Sequence, residues 1–150
     1  MNASPQRIGI LSELSPVELE LLAGACVERS FHAGDTIIAD GAMGDGLFII
    51  TKGTVSVLKY SGSTVEIELA RLHAGEHFGE MSLITERPAS ASVRVRSDVT
   101  CLFASRERFH LLLRAHPEIA RKVLLAFVTA LSRRRTQSER DYSSLLHRER

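Results

Sequence analysis

The chain has few cysteines, no long apolar run and, after residue 79, no glycine. Cys26 and Cys101 stand alone among apolar neighbours, which argues against a disulfide framework and suits buried thiols in a reducing compartment. The six histidines are scattered without ligand spacing, so no metal or iron–sulfur centre is expected. The longest apolar stretches, such as "VLLAFVTAL" at Val123 to Leu131, are too short to span a membrane and are flanked by arginines. The opening "MNASPQRIGIL" lacks the segments of a secretory signal. A cytoplasmic location without membrane contact is the expectation.

A length of 150 residues fits one domain with appendages. Hydrophobic content of 44% and charged content of 25% are those of a folded globular chain. The net charge of +1 conceals a split. From Ser105 onward eleven Lys and Arg stand against five Asp and Glu, so the segment before it is acidic. The basic run "SRRRTQ", Ser132 to Gln137, fits a solvated face or a contact with an acidic partner. No nucleic-acid recognition module accompanies it. Nor is there a nucleophile paired with a base, or a carboxylate pair that strand turns would not explain, so no catalytic role is expected.

"LSPVELELLAGA" carries several helix-start signals at once: Ser15 as N-cap, Pro16 at the first helical position and Glu18 completing a capping box. A leading helix over roughly Pro16 to Cys26 follows. Short segments of alternating character come next, "TIIA", "LFIIT", "TVSVLKY" and "TVEIELARL", and later "ASVRVRS" and "VTCLFA". These are expected antiparallel strands. Eight of the ten glycines lie between Gly34 and Gly79, where Gly34, Gly46, Gly53 and Gly62 are expected to take positive φ in turns. Past Ala104 the period becomes helical, with Ser105 as a cap and Pro117 opening a long second helix. Ile119, Val123, Ala126, Phe127, Ala130 and Leu131 form its apolar stripe. About thirty residues of helix would reach roughly 45 Å, more than this domain needs, so part of it is expected to dock on another chain.

The order of elements, and the words "AGDTIIADGAMGDGLFIITKGTVSV", "AGEHFGEMSLITERPASASVRV" and "CLFASRERFHLLLRAHPEIARKVL", resemble the cyclic nucleotide-binding domain family. The resemblance runs over roughly Leu11 to Arg135, with Gly34, Asp35, Gly41, Gly46 and Gly53 at the family's turn positions. It implies a mainly β fold with flanking helices (α+β): an antiparallel β-roll, or double-stranded β-helix, with an N-terminal helix, a short cassette helix, a hinge helix and a long C-terminal helix. Residues 1–135 would be the nucleotide-binding-like domain, and 117–147 a helix for dimerisation or partner docking.

The second of those words resembles the family's phosphate-binding cassette. Phe78, Gly79, Glu80, Met81 and Ser82 lead into a short helical turn whose first N–H groups carry partial positive charge. Glu80 beside a phosphate is tolerable where its carboxylate accepts from sugar hydroxyls; the other role open to it is capping its own turn. Met81, Leu83 and Ile84 fit core or hinge packing. Pro88 ends the turn, and "ASAS", Ala89, Ser90, Ala91 and Ser92, lets backbone and hydroxyls approach a ligand. One departure stands out. After Pro88 the family's binding members place an arginine on the cyclic phosphate, and here the residue is Ala89. Arg87 is the only nearby substitute in sequence, with a solvated surface side chain as its other reading. Arg135, Thr136 and Ser138 are the residues of the final helix that the resemblance would set against the base.

The expectation is a regulatory or sensor domain needing no cofactor, with cAMP or cGMP as the ligand class and affinity weakened or lost through Ala89. The alternatives are a degenerate fold serving as a dimerising interaction module, and the input domain of a truncated transcription regulator. A homodimer through Val123, Phe127, Ala130 and Leu131 and an unidentified protein partner are expected. Too little chain follows the long helix for a helix-turn-helix domain, so direct sequence-specific DNA binding is not.

Overall fold

The computed structural model describes the backbone of residues 9–61 and 65–148 and the side chains of 9–60 and 65–134. Two helices lead, α1 (Ile10–Glu13) and α2 (Pro16–Gly24), then β1 (Val27–Phe31), β2 (Thr36–Ile38), β3 (Gly46–Ser61), β4 (Val65–Leu72) and β5 (His77–Phe78). A short α3 (Met81–Ile84) precedes β6 (Ser92–Ser105), and α4 (Arg106–Ala115) and α5 (Pro117–Arg148) close the chain. This is the mainly β roll with flanking helices that the sequence implied. Its sheet runs β1-β6-β3-β4, with β2 on β6 and β5 on β3, all pairs antiparallel.

The helix starts follow from local chemistry. The Ser15 hydroxyl accepts from the Glu18 N–H while the Glu18 carboxylate accepts from the Ser15 N–H, and the Ser105 hydroxyl accepts from the Arg108 N–H. Strand alternation divides the core in two. Phe48 and Ile50 of β3 and Cys101 and Phe103 of β6 point into the roll with Val55, Leu72, Phe78, Val93 and Val95. Leu47, Ile49 and Ala104 point the other way, against Ile10, Leu22, Phe109, Ile119, Val123 and Phe127 of the helices.

Four of the expected short strands join into two long ones, β3 and β6, while β2 and β4 stay separate. β3 continues through Gly53, which is a bulge and not a hairpin turn: its φ is 92°, and a Cβ there would meet the Asp98 carbonyl oxygen at 2.3 Å. Gly34 has positive φ as expected. Gly46 does not; it is needed because a Cβ would sit 2.2 Å from the Ala104 carbonyl oxygen. Gly62 lies outside the described residues.

The expected seam of α5 is corrected too. Val123, Phe127 and Ala130 are buried within the chain's own core, Phe127 against the His77 ring at 4.9 Å and stacked on Phe109 at 6.0 Å. The leading helices and sheet need cover, and this face of α5 supplies it. Among the described residues of α5, the outward large apolar ones are Leu124, Leu125, Val128 and Leu131.

Candidate functional site

The site begins at β5, two residues whose pairing with β3 sets Phe78 opposite Phe48, their rings stacked at 4.9 Å. That pairing brings Gly79 against the start of β3. With φ 83° and the Gly46 carbonyl oxygen 2.6 Å from any Cβ, position 79 admits only glycine without rearrangement. The sharp turn sends Glu80 inward at the head of α3, where it makes no side-chain cap bond, so the capping role does not hold. The Ser82 hydroxyl donates to the Gly79 carbonyl at 2.7 Å and fixes the turn.

Glu80 is 3% exposed. Its Oε1 accepts a 2.9 Å bond from Nη1 of Arg134 on α5, and Nη2 of the same guanidinium donates to the His77 carbonyl oxygen. Burial raises the Glu80 pKa and the Arg134 charge opposes that rise. Beneath the pair lies His77, whose Nε2 is 3.6 Å from Glu80 Oε1 and has no hydrogen-bond partner among the described residues. Burial first, then the charges of Arg134 and Arg133, bring the His77 pKa down to about 3. His77 is therefore neutral near pH 7, and its approach to Glu80 is neither an ion pair nor a hydrogen bond.

Across the cavity runs the arm from Thr85 to Ala91. Its backbone is tied to the loop after β2: the Ala89 N–H donates to the Ala42 carbonyl and the Gly41 N–H to the Ala89 carbonyl, both at 2.8 Å. The Ser90 carbonyl accepts a 2.5 Å bond from Lys59 Nζ, itself 3.9 Å from Asp40. Between the arm, β4, α3 and α5 lies a cavity of about 500 Å³. Phe78, Gly79, Glu80, Met81, Ser82, Arg87, Ala89, Ser90 and Ala91 all line it, with Arg87 exposed at the mouth. Ser92 does not; its hydroxyl accepts from the Asp40 N–H at 2.9 Å. Leu83 is buried core, whereas Met81 and Ile84 are half exposed.

Arg134 is the residue that sequence reasoning missed. The side chains of Arg135, Thr136 and Ser138 lie outside those described. Extending the buried stripe of α5 from Phe127 by seven and from Ala130 by four reaches position 134, so the helical period marks which arginine of "RRR" turns inward.

Residues 28–116 match the family described as the cyclic nucleotide-binding domain. The cAMP-dependent protein kinase type II regulatory subunit of Drosophila melanogaster is 38% identical over 95 residues, 63% of this chain and 25% of that protein, so the chain spans about a quarter of this relative. Among solved structures, the Thermus thermophilus catabolite activator protein superposes with a TM-score of 0.77 at 31% identity, covering 91% of this chain and 63% of that one. The regulatory subunit of a cAMP-independent protein kinase A from Trypanosoma cruzi, bound to guanosine, gives 0.64 at 28% identity over 74% of this chain and 38% of that one.

Proposed function

The chain belongs to the cyclic nucleotide-binding domain family, and from that premise we propose that it is a non-catalytic, cytoplasmic regulatory domain in which a ribose-bearing ligand at Glu80 controls the placement of α5. The observation that carries this reading is the buried Glu80–Arg134 pair, which joins the cradle directly to the C-terminal helix. Sugar hydroxyls donating to Glu80 compete with the guanidinium for the same carboxylate oxygens. Occupancy then biases α5 by the difference in ligand affinity between its two placements.

Cyclic nucleotides of the cAMP and cGMP type are the ligand class the family supports, with affinity reduced because Ala89 supplies no charge. Loss of one partner of a buried charge pair costs about 3–5 kcal/mol, on the order of 10²- to 10⁴-fold in affinity. Self-association through the outward face of α5, Leu124, Leu125, Val128 and Leu131, is the assembly this reading favours.

Hydrogen exchange with and without millimolar cAMP, on protein refolded to strip retained nucleotide, tests the coupling. The expected result is altered protection in the second half of α5, absent in Glu80→Ala. Saturable binding with no change in α5 would defeat the coupling, and no binding of any ribose ligand would leave a degenerate fold used for interaction alone.

A further inference from the structure

We propose that this cradle selects an uncharged ribonucleoside over the corresponding cyclic nucleotide. The inference rests on the reading of Glu80 as acceptor for ribose hydroxyls and concerns what lies on the opposite wall.

Among the described residues, the arm offers an anion polar groups such as Ser90 but no buried cation. Both backbone polar groups of Ala89 are bonded to the 41–42 loop, the Ser92 hydroxyl is held by Asp40, and Lys59 lies outside the cavity lining on the Ser90 carbonyl. The arm therefore presents a methyl group where a phosphate would need a cation. Arg134 lines the cavity, but its guanidinium serves Glu80 and the His77 carbonyl. Arg87 stands at the solvent-exposed mouth, where screening weakens it.

What remains suits a neutral molecule. Ile38, Val57, Leu69, Phe78 and Val93 give apolar walls for a base and the carbon face of a sugar. A ribose hydroxyl donates to Glu80 without adding charge to the cavity. A cyclic phosphate would carry a full negative charge to the apolar side of the same cavity, and a charge there without a partner is disfavoured.

Calorimetric titration of adenosine, guanosine, cAMP and cGMP into the refolded chain tests this, with 2′-deoxyadenosine and 2′-deoxyguanosine alongside. The expected result is that at least one nucleoside binds tenfold or more tighter than its own cyclic phosphate, that the matching deoxynucleoside loses at least tenfold, and that Ala89→Arg inverts the order. A cyclic nucleotide binding as tightly as its nucleoside, or tighter, would overturn the inference and leave the proposed function standing. A deoxynucleoside binding equally well would overturn it too, by removing the ribose contact. If neither class binds at millimolar concentration, the proposed function falls and this inference with it.

Discussion

Arg134 Nη1 lies 2.9 Å from Oε1 of Glu80, fifty-four residues earlier in the chain, and the carboxylate has almost no contact with solvent. Burial pushes the pKa of a carboxylate so placed upward, and the guanidinium works against that rise. The two side chains should therefore behave as one unit. In a double-mutant cycle read by denaturant unfolding, Arg134→Ala alone is expected to cost about 3 kcal/mol. Glu80→Gln should then cost about 2 kcal/mol less in the Arg134→Ala background than alone. Additive costs would show that the pair is not coupled.

His77 predicts a pH dependence. Its pKa falls from 6.5 unfolded to about 3 folded, so the unfolded chain binds the extra proton between these values. Stability contributed by neutral His77 is present above pH 6.5 and is lost as pH falls toward 3, at up to about 1.4 kcal/mol per pH unit. Glu80, with its pKa raised, has the opposite sign: protonation on folding adds stability as pH falls toward 4.5. Thermal melts from pH 7 to 4.5 should show a decline that His77→Gln flattens and Glu80→Gln steepens. A His77→Gln profile parallel to the wild type would remove His77 as the cause.

Two glycines separate fold from site. Gly79→Ala and Gly53→Ala both force a Cβ against a carbonyl oxygen at positive φ, at 2.6 and 2.3 Å. Each should destabilise by about 1–3 kcal/mol. Only Gly79→Ala, which displaces Glu80, should also weaken ligand binding by tenfold or more under conditions where both variants remain folded, as measured by calorimetry.

On α5, adjacent residues should give opposite results. Val128 is 64% exposed and Phe127 1%. Val128→Asp should leave the melting transition nearly unchanged and, if the outward face self-associates, halve the mass seen by light scattering. Phe127→Asp should abolish the cooperative melt, because it places a charge in the core. An unaltered mass for Val128→Asp at concentrations where the wild type is dimeric would move the interface elsewhere.

Much of this was legible in the sequence because it is local. Ser15, Glu18, Ser105 and Pro117 announce their helices through backbone bonds only a few residues long. β1 was not, since "VERSF" has four exposed residues and no inward alternation; pairing with β6 and the Arg29 guanidinium 3.8 Å from the Phe103 ring centre hold it. α1 is a single turn without a side-chain cap. In the site, Glu80 and the cassette could be found from their order along the chain, whereas Arg134 depends on the rotation of a distant helix. The facing of α5 failed for a related reason: an apolar stripe does not say whether its partner is the same chain or another.

The pairing of Gly46 with Ser105 joins the first residue of β3 to the last of β6. No nascent chain can close the roll until nearly all of β6 has left the ribosome, and no refolding chain can close it without a long loop first losing its freedom. Such topologies mature more slowly than helical ones, over milliseconds to seconds. Protein stripped of ligand by denaturation would thus regain its sheet on that slower schedule, with the cradle, which hangs on β3 through β5, among the last parts to form.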